Sequence, residues 1–228
     1  MRVDLIDHMG NDLTVVNAAR VSMDKISKFI CKDNGPSLTK EDSKLITYLA
    51  KHNHWTPFGH PQVTFRIKAP IFVARQLGKH QVGMVWNEVS RRYVDSEPEF
   101  FAPEGHTGDD GYRYHGWRKA ADNVKQGSTD EVADLIPLSQ NVVSNYAHEA
   151  IVAYTSLLKS GVCPEQARMV LPQSMYTEWY WTGSLAAWSR VCKLRLDPHT
   201  QRETQDIAKR VSVCMSDLFP VSWEALNA

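Results

Sequence analysis

Strict two-residue alternation is confined to a few short stretches of this chain, and elsewhere apolar residues recur at helical spacing, with no steady succession of the two kinds. A doubly wound sheet needs strand and helix in turn, so the pattern points to an α+β domain instead. Val63, Phe65 and Ile67 alternate with Gln62, Thr64, Arg66 and Lys68, which predicts a half-buried strand. Arg2 to Asp7 and Met175 to Trp181 read as two more. Leu45, Ile46, Leu49 and Ala50 share one helical face behind Thr39 and Asp42, a pair with capping-box spacing. Asp12 is expected to cap a helical turn through Ala18 and Arg20, and Pro70 to open a helix through Phe72, Val73 and Gln76 toward Lys79.

The repeat Leu135, Leu138, Val142, Tyr146, Ile151, Tyr154, Leu158 predicts a long central helix, with Pro137 near its start and Gly161 at its end. Pro164 opens another helix through Val170, and Ser184 caps one ending near Leu194. Asp197 with Pro198 then starts a final helix marked by Ile207, Val211, Met215 and Leu218. From Ser96 to Gly127 periodicity gives way to Pro, Gly, Asp and isolated aromatics such as Phe100, Phe101, Tyr112 and Trp117, an excursion that packs on the body. At 228 residues the expectation is one domain spanning 1–228, a small, mostly antiparallel sheet flanked by helices, with a core large enough to need no disulfide or structural metal.

Composition narrows the function. The longest apolar stretch, Ala69 to Ala74, is far short of the roughly 20 residues that cross a bilayer, and the acidic start is no secretory signal, so a cytoplasmic protein is expected. Lys plus Arg equals 26 and Asp plus Glu equals 26, so no basic excess drives binding along a nucleic acid. Cations nevertheless cluster at Arg75, Lys79, Arg91 and Arg92, and again at Arg190, Lys193, Arg195 and Arg202. Neither G-x-G-x-x-G nor G-x-x-x-x-G-K-[ST] is present, so side chains must hold any phosphate.

Two segments are candidates for chemistry. His52 to His60, HNHWTPFGH, gathers three imidazoles but no carboxylate, which disfavours a metal site. Its remaining readings are a helix end turning at Pro57, or a ligand wall to which His54 and Thr56 contribute. Ala74 to Val94, ARQLGKHQVGMVWNEVSRRYV, packs cations, amides, a carboxylate and a hydroxyl into one passage, with Gly83 permitting a turn. Asn87, Glu88, Ser90 and Arg92 suit a phosphate, a sugar hydroxyl and a heterocycle edge, and Trp86 could stack on a ring. The structural alternative is an exposed, salt-bridged helix end followed by an edge strand. Cys163 could be a nucleophile, but no cation or His adjoins it, and a buried structural cysteine is the plainer reading.

FRIKAPIFVARQ, then KHQ, then WNEVSRRY resembles the signature of the flavin-dependent thymidylate synthases, R-H-R-x-x-S-x-N-E-x-S-x-R. NAARVS (Asn17 to Ser22), HWTPFGH (His54 to His60), ARMVLP (Ala167 to Pro172), YTEWYWT (Tyr176 to Thr182) and LRLDPHTQ (Leu194 to Gln201) resemble further blocks of that family in its order. The resemblance implies the fold of the thymidylate synthase-complementing proteins. It also implies conversion of dUMP to dTMP, with methylenetetrahydrofolate giving the carbon and NADPH the electrons through bound FAD, in a homotetramer with shared active sites. By the same resemblance Gln76, Lys79, Glu88, Val89, Ser90, Arg91, Arg92, Arg168 and Arg195 contact dUMP. Thr56, Lys79, His80, Gln81, Val82, Glu88, Arg190 and His199 line the FAD, with Ser22 and His54 nearby.

The residue types make chemical sense. Arg195 against the uracil ring would stabilise charge as a poor carbon nucleophile attacks, which is its expected catalytic role. Arg92, Arg168 and Ser90 suit phosphate, and His199 is expected in the first turn of the last helix, where partial positive charge favours an anion. The chain departs from the family pattern: Lys79 and Gln81 replace the two arginines of R-H-R, an extra residue separates His80 from Asn87, and Met84 or Val85 stands in place of Ser. Gly59 replaces an acidic residue, and Ser184, Ala186 and Arg190 replace Asn, Arg and Asn. These changes describe a divergent subgroup rewired around Arg190. They also leave two alternatives: a related modification, such as hydroxymethylation or use of another pyrimidine nucleotide, and a non-catalytic nucleotide-binding homologue.

Overall fold

In a computed structural model that describes residues 1–32, 35–103, 116–122, 127–135 and 141–228, helices and strands follow one another irregularly. The order is β1 (Arg2–Met9), α1 (Asp12–Arg20), β2 (Ile30–Lys32), β3 (Gly35–Ser37), α2 (Lys40–Lys51), β4 (Gln62–Pro70), α3 (Ile71–Leu77) and β5 (Met84–Glu88). Then come β6 (Arg118–Ala120), β7 (Ser128–Val132), α4 (Val142–Lys159), α5 (Pro164–Ala167), β8 (Tyr176–Ser184), α6 (Leu185–Arg195), α7 (Arg202–Leu218) and α8 (Pro220–Asn227).

One antiparallel sheet organises the chain, in the order β1-β4-β8-β5. Its central strands, β4 and β8, share the same alternation of burial, so Phe65 faces Trp181 and Ile67 faces Trp179 across the register. Helix α6 seals that face. Trp188 meets Phe65 edge-on (centroids 5.0 Å apart, 88° between planes) and Trp181 at 4.7 Å and 71°, and its Nε1 donates to the Val63 carbonyl at 3.1 Å. The tryptophan thereby buries its rings without stranding its donor.

Helix starts follow side-chain chemistry. Ser184 caps α6 by accepting from the Ala187 amide (3.2 Å), as expected. Thr39 caps α2 by accepting from the Asp42 amide (3.1 Å), but Asp42 does not complete a capping box. Its carboxylate, 2% exposed, instead accepts from Arg20 (2.6 and 3.0 Å) and from the hydroxyls of Ser27 (2.8 Å) and Thr39 (2.9 Å). Burial alone would raise its pKa, yet these donors outweigh burial and hold it below 3.8.

Several expectations need correction. The cap of α1 is Asn11, whose Oδ1 accepts from the Thr14 amide at 3.2 Å. Asp12 reaches across the fold instead, accepting from the amides of Val221 (3.0 Å) and Ser222 (2.9 Å) in the first turn of α8. That helix begins at Pro220, so α7 is not the last. Nor does α7 begin at Asp197. Asp197 Oδ1 accepts from the His199 amide (2.8 Å) in a turn, and the helix starts at Arg202, leaving His199 ahead of it. Helix α3 stops at Leu77, where the Gly78 amide closes on the Ala74 carbonyl (2.8 Å), so Lys79 and His80 lie beyond it.

The long helix ends at Lys159 with Gly161 at φ +83°, as expected, and packs on α5 and the Arg168–Val170 turn. Leu135 precedes it, while Pro137 and Leu138, like Tyr112, lie outside the described residues. Within the excursion Phe101 is buried against Phe72 (5.7 Å, 67°), and β6 pairs with β7 as a separate hairpin. That hairpin is held to α7 by Arg118 Nη2 and Glu203 Oε1 at 2.9 Å, with both side chains largely buried. Among the described residues no helix is long and apolar enough to cross a membrane.

Candidate functional site

The end of α6 meets the turn between α3 and β5. Arg195, partly buried in the last turn of α6, donates through Nε to His80 Nε2 (2.9 Å) and through Nη2 to the Gln76 carbonyl (2.8 Å). Burial pulls its pKa below the usual guanidinium value, though an arginine of this kind stays charged. His80 is pushed below 6.5 by burial and then by the charges of Arg195 and Arg190, so its imidazole is neutral at pH 7. Because Nε2 accepts, the ring proton belongs on Nδ1. Arg190 Nη2 donates to the Val82 carbonyl (2.8 Å), and Gly83 at φ +73° turns the chain into β5. A side chain at Gly83 would be strained by that φ and would approach the Ala187 Cβ at 3.3 Å.

Three clefts surround this junction. The first, of about 570 Å³, has Gln76, Arg195, His199, Thr200 and Gln201 on one side and Arg118, Gly127 and Ser128 of the hairpin on the other. The Gln76 side chain is tied down there, donating to Gln201 Oε1 (2.5 Å) and accepting from Thr204 (3.2 Å). The second, of about 440 Å³, has an apolar floor of Ile71, Ala74, Met84 and Trp86 and a polar rim of Arg75, Lys79, His80, Gln81 and Glu88. The third, of about 510 Å³, is lined by Glu88, Val89, Arg91 and Arg168 with Lys68, Glu97 and Glu99. Glu88 is common to the second and third, its carboxylate accepting from Thr177 (2.6 Å) and from the indole of Trp86 (3.2 Å).

The predicted residues therefore fall into groups. Gln76, Arg195 and His199 share one cleft, Lys79, His80, Gln81 and Glu88 the next, and Glu88, Val89, Arg91 and Arg168 the third. Ser90 accepts from Arg92 Nε (3.2 Å), and the Arg92 guanidinium lies 5.1 Å from the Tyr93 ring centroid. Val82 is exposed beside the Arg190 contact. Ser22, His54 and Thr56 are not brought to these clefts: Ser22 donates to the Ala19 carbonyl (3.0 Å), His54 stacks 6.1 Å from the Tyr48 ring, and Thr56, itself exposed, opens the 56–59 turn over buried Pro57 and Phe58. β5 is the edge strand that the structural alternative for the Ala74–Val94 segment expects, and polar side chains on either side of it, with Glu88 at its end, line two clefts.

One expectation is narrowed by geometry and another fails. Trp86 stacks on Trp179 (4.4 Å, 17°), so one face is taken by protein while the residue still lines the second cleft. Cys163 is exposed, and the buried cysteine is Cys192, whose thiol burial pushes up to about 12. Arg118 is the cleft residue that sequence reasoning missed. It sits in an aperiodic stretch, and only the hairpin carries it to Arg195's cleft, pinned by Ser128 Oγ (2.8 Å) and Glu203.

The profile of the family described as thymidylate synthase complementing protein matches residues 4–221. The chain is 38% identical over 225 residues to a flavin-dependent thymidylate synthase of Thermus thermophilus, covering 99% of this chain and 75% of that one. It is 34% identical over 221 residues to the enzyme of the same name from Thermosipho africanus, covering 97% and 88%. Among solved structures it resembles a UMP/dUMP methylase, PolB from Streptomyces cacaoi, bound with 5-Br dUMP, at TM-score 0.77 and 30% identity over 98% of this chain and 93% of that one. PolB bound with 5-Br UMP gives TM-score 0.74 at the same identity, covering 99% and 93%.

Proposed function

The chain belongs to the thymidylate synthase complementing protein family, the flavin-dependent thymidylate synthases, and from that premise we propose that it methylates dUMP to dTMP. Methylenetetrahydrofolate supplies the carbon and NADPH the electrons, in a cytosolic, single-domain protomer of a homotetramer. The observation that carries the reading is the hydrogen-bonded junction of Gln76, His80 and Arg195, which joins two clefts at a charged guanidinium with no carboxylate bound to it among the described residues.

The residues fit a flavin. The second cleft offers an apolar floor for a flat ring and a cationic rim for phosphate, from Lys79 and Arg75, and its turn is held by Arg190. His80, Gln81 and Glu88 complete this wall, with Val82 on the adjoining turn and His199 in the first cleft. The bound flavin would supply the hydride that reduces the transferred carbon to methyl. Ser22, His54 and Thr56 lie outside these clefts in their own chain, so in our reading a neighbouring protomer presents them. The exposure of Val82 (80%) and Met169 (77%) beside the second and third clefts supports such cover.

Arg195 performs the central task. Uracil carbon becomes nucleophilic as charge builds in the ring, and a fixed guanidinium in a site cleared of water stabilises that charge strongly. Gln76 and Glu88 have their side-chain oxygens already engaged, so they shape the nucleotide site as well as touching it. Arg168 and Arg91, with Ser90, Arg92, Lys79 and Val89, take the phosphate and ribose. In this subgroup Lys79 provides a point charge where an arginine would make a fork. A purified sample settles the matter by its visible spectrum: a flavin band that bleaches with NADPH and returns on adding dUMP and methylenetetrahydrofolate is expected, and colourless protein that accepts no FAD overturns the reading. The likeness to PolB favours a second reading, in which UMP is also a substrate, and product analysis with UMP and dUMP in parallel separates the two.

A further inference from the structure

An arginine on a helix end is a poor catalytic instrument unless something fixes its plane, because its side chain carries about 2 kcal/mol of rotamer entropy. Arg195 is fixed at two points. Nε donates to His80 and Nη2 to the Gln76 carbonyl, and two bonds to a planar group determine its orientation. Nη1 is left without a partner among the described residues. The same helix grips the other side of the turn, where Arg190 holds the Val82 carbonyl two residues past His80. Helix α6 and the α3–β5 turn thus form one clamp.

We propose that His80 is the positioning residue of Arg195: its bare Nε2, with the Gln76 carbonyl, aims the guanidinium so that Nη1 faces the pyrimidine. The inference rests on the assignment of Arg195 to the nucleotide ring, and it gives the His of KHQ a role through Arg195 rather than through the flavin alone. It requires a neutral imidazole. Among the described residues, the charged groups around His80 are the cations Arg195 and Arg190 of α6 and, lining the same cleft, Arg75 and Lys79 of its own segment and one carboxylate, Glu88, already engaged by Thr177 and Trp86. Burial first, and then the charges of Arg195 and Arg190, keep the ring neutral and the lone pair available. The sign follows. The folded value lies below 6.5, so the clamp is intact above that pH and weakens as pH falls from 6.5 toward the lower folded value, where the ring gains a proton and can no longer accept.

Nitrogen-15 NMR of the histidine rings in the ligand-free, full-length protein at about pH 7.5 reads the tautomer directly. The proposal expects His80 protonated on Nδ1 and bare at Nε2, with the Nε2 shift moving in Arg195→Met; a proton on Nε2 overturns it. Binding of dUMP across about pH 5 to 8 provides the second reading, as affinity relative to wild type, so that titration of the nucleotide phosphate cancels. His80→Gln retains an acceptor that does not titrate, and should bind within about threefold of wild type at high pH while losing the acid fall specific to His80. His80→Phe, which cannot accept, should weaken binding about tenfold at high pH, the usual loss for a hydrogen bond to a charged group, and that deficit should shrink as pH falls and the wild-type imidazole takes up a proton. If His80→Phe binds like wild type while Arg195→Ala weakens, the positioning role is wrong and the Arg195 assignment stands. If Arg195→Ala itself binds dUMP as tightly as wild type, the assignment beneath it has failed.

Discussion

The pair β4–β8 and the turn from Lys79 into β5 lie side by side in this fold, and they are built on opposite terms. Along β4 and β8 every other side chain is buried, and the sheet is closed by Trp179, Trp181 and Trp188, each no more than 1% exposed. Along the turn most side chains are exposed, and the partners they have are single hydrogen bonds, such as Arg190 to Val82 and Arg195 to His80. The first region is specified by what it removes from water, and its energy is spent on shape. The second keeps donors and charges unspent, which is what a ligand site requires.

The sharpest way to break that contrast is to remove Trp188, which fills the space between Phe65 and Trp181 and satisfies the Val63 carbonyl. Trp188→Ala should cost about 3–5 kcal/mol, enough to unfold a marginal protomer. Urea denaturation followed by tryptophan fluorescence measures it, and a loss below about 1 kcal/mol would show that the sheet face is not where stability resides.

Asp42 is the charged counterpart of Trp188, a buried carboxylate that replaces shape with bonds to Arg20, Ser27 and Thr39. Asp42→Asn leaves Arg20 with a neutral partner and should cost about 3 kcal/mol. Its pH signature is distinct. The folded carboxyl lies below 3.8, so its stabilisation is complete above that value and disappears as pH falls through the lower folded pKa. The variant should therefore lose part of the acid limb in a stability profile from about pH 2 to pH 6, and an unchanged limb would assign acid sensitivity to other groups.

What could be read from the sequence follows the same division. Val63, Phe65 and Ile67, the tryptophans of β8, and the caps Thr39 and Ser184 are local signals, and the structure uses them where they stand. Asp12 looked like a local cap and is a distant one, because an acceptor beside its own helix can serve another helix start once the ends of the chain meet. His199 was assigned to a helix because Asp197–Pro198 resembles a start, yet the Asp197 side chain closes a turn on His199 itself. Residue types in the Ala74–Val94 segment suggest a ligand site, but the division of its surroundings into clefts and the entry of Arg118 depend on contacts between distant parts of the chain, such as Arg118 with Glu203. Periodicity encodes which face is buried; it carries no signal for which polar groups will meet.

The smallest expected effect on folding is the most informative about the turn and its clefts. Arg168 is exposed and follows α5, and among the described residues its side chain makes one long hydrogen bond, from Nε to the Glu165 carbonyl at 3.3 Å. Its loss should shift stability by no more than about 0.5 kcal/mol, as for surface positions without a special role. Its side chain nonetheless lines the third cleft with Arg91, where we propose that the nucleotide phosphate binds. Arg168→Ala should thus fold like wild type and bind dUMP more weakly, with the deficit shrinking as salt rises, because screening already weakens the native contact. Calorimetric titration at low and high salt, with deoxyuridine as the phosphate-free control, separates the two roles. A variant that loses dUMP and deoxyuridine equally would mean that Arg168 shapes the cleft and does not grip phosphate. One that loses stability by several kcal/mol would erase the distinction between the two regions, since an exposed cation would then be supporting the fold.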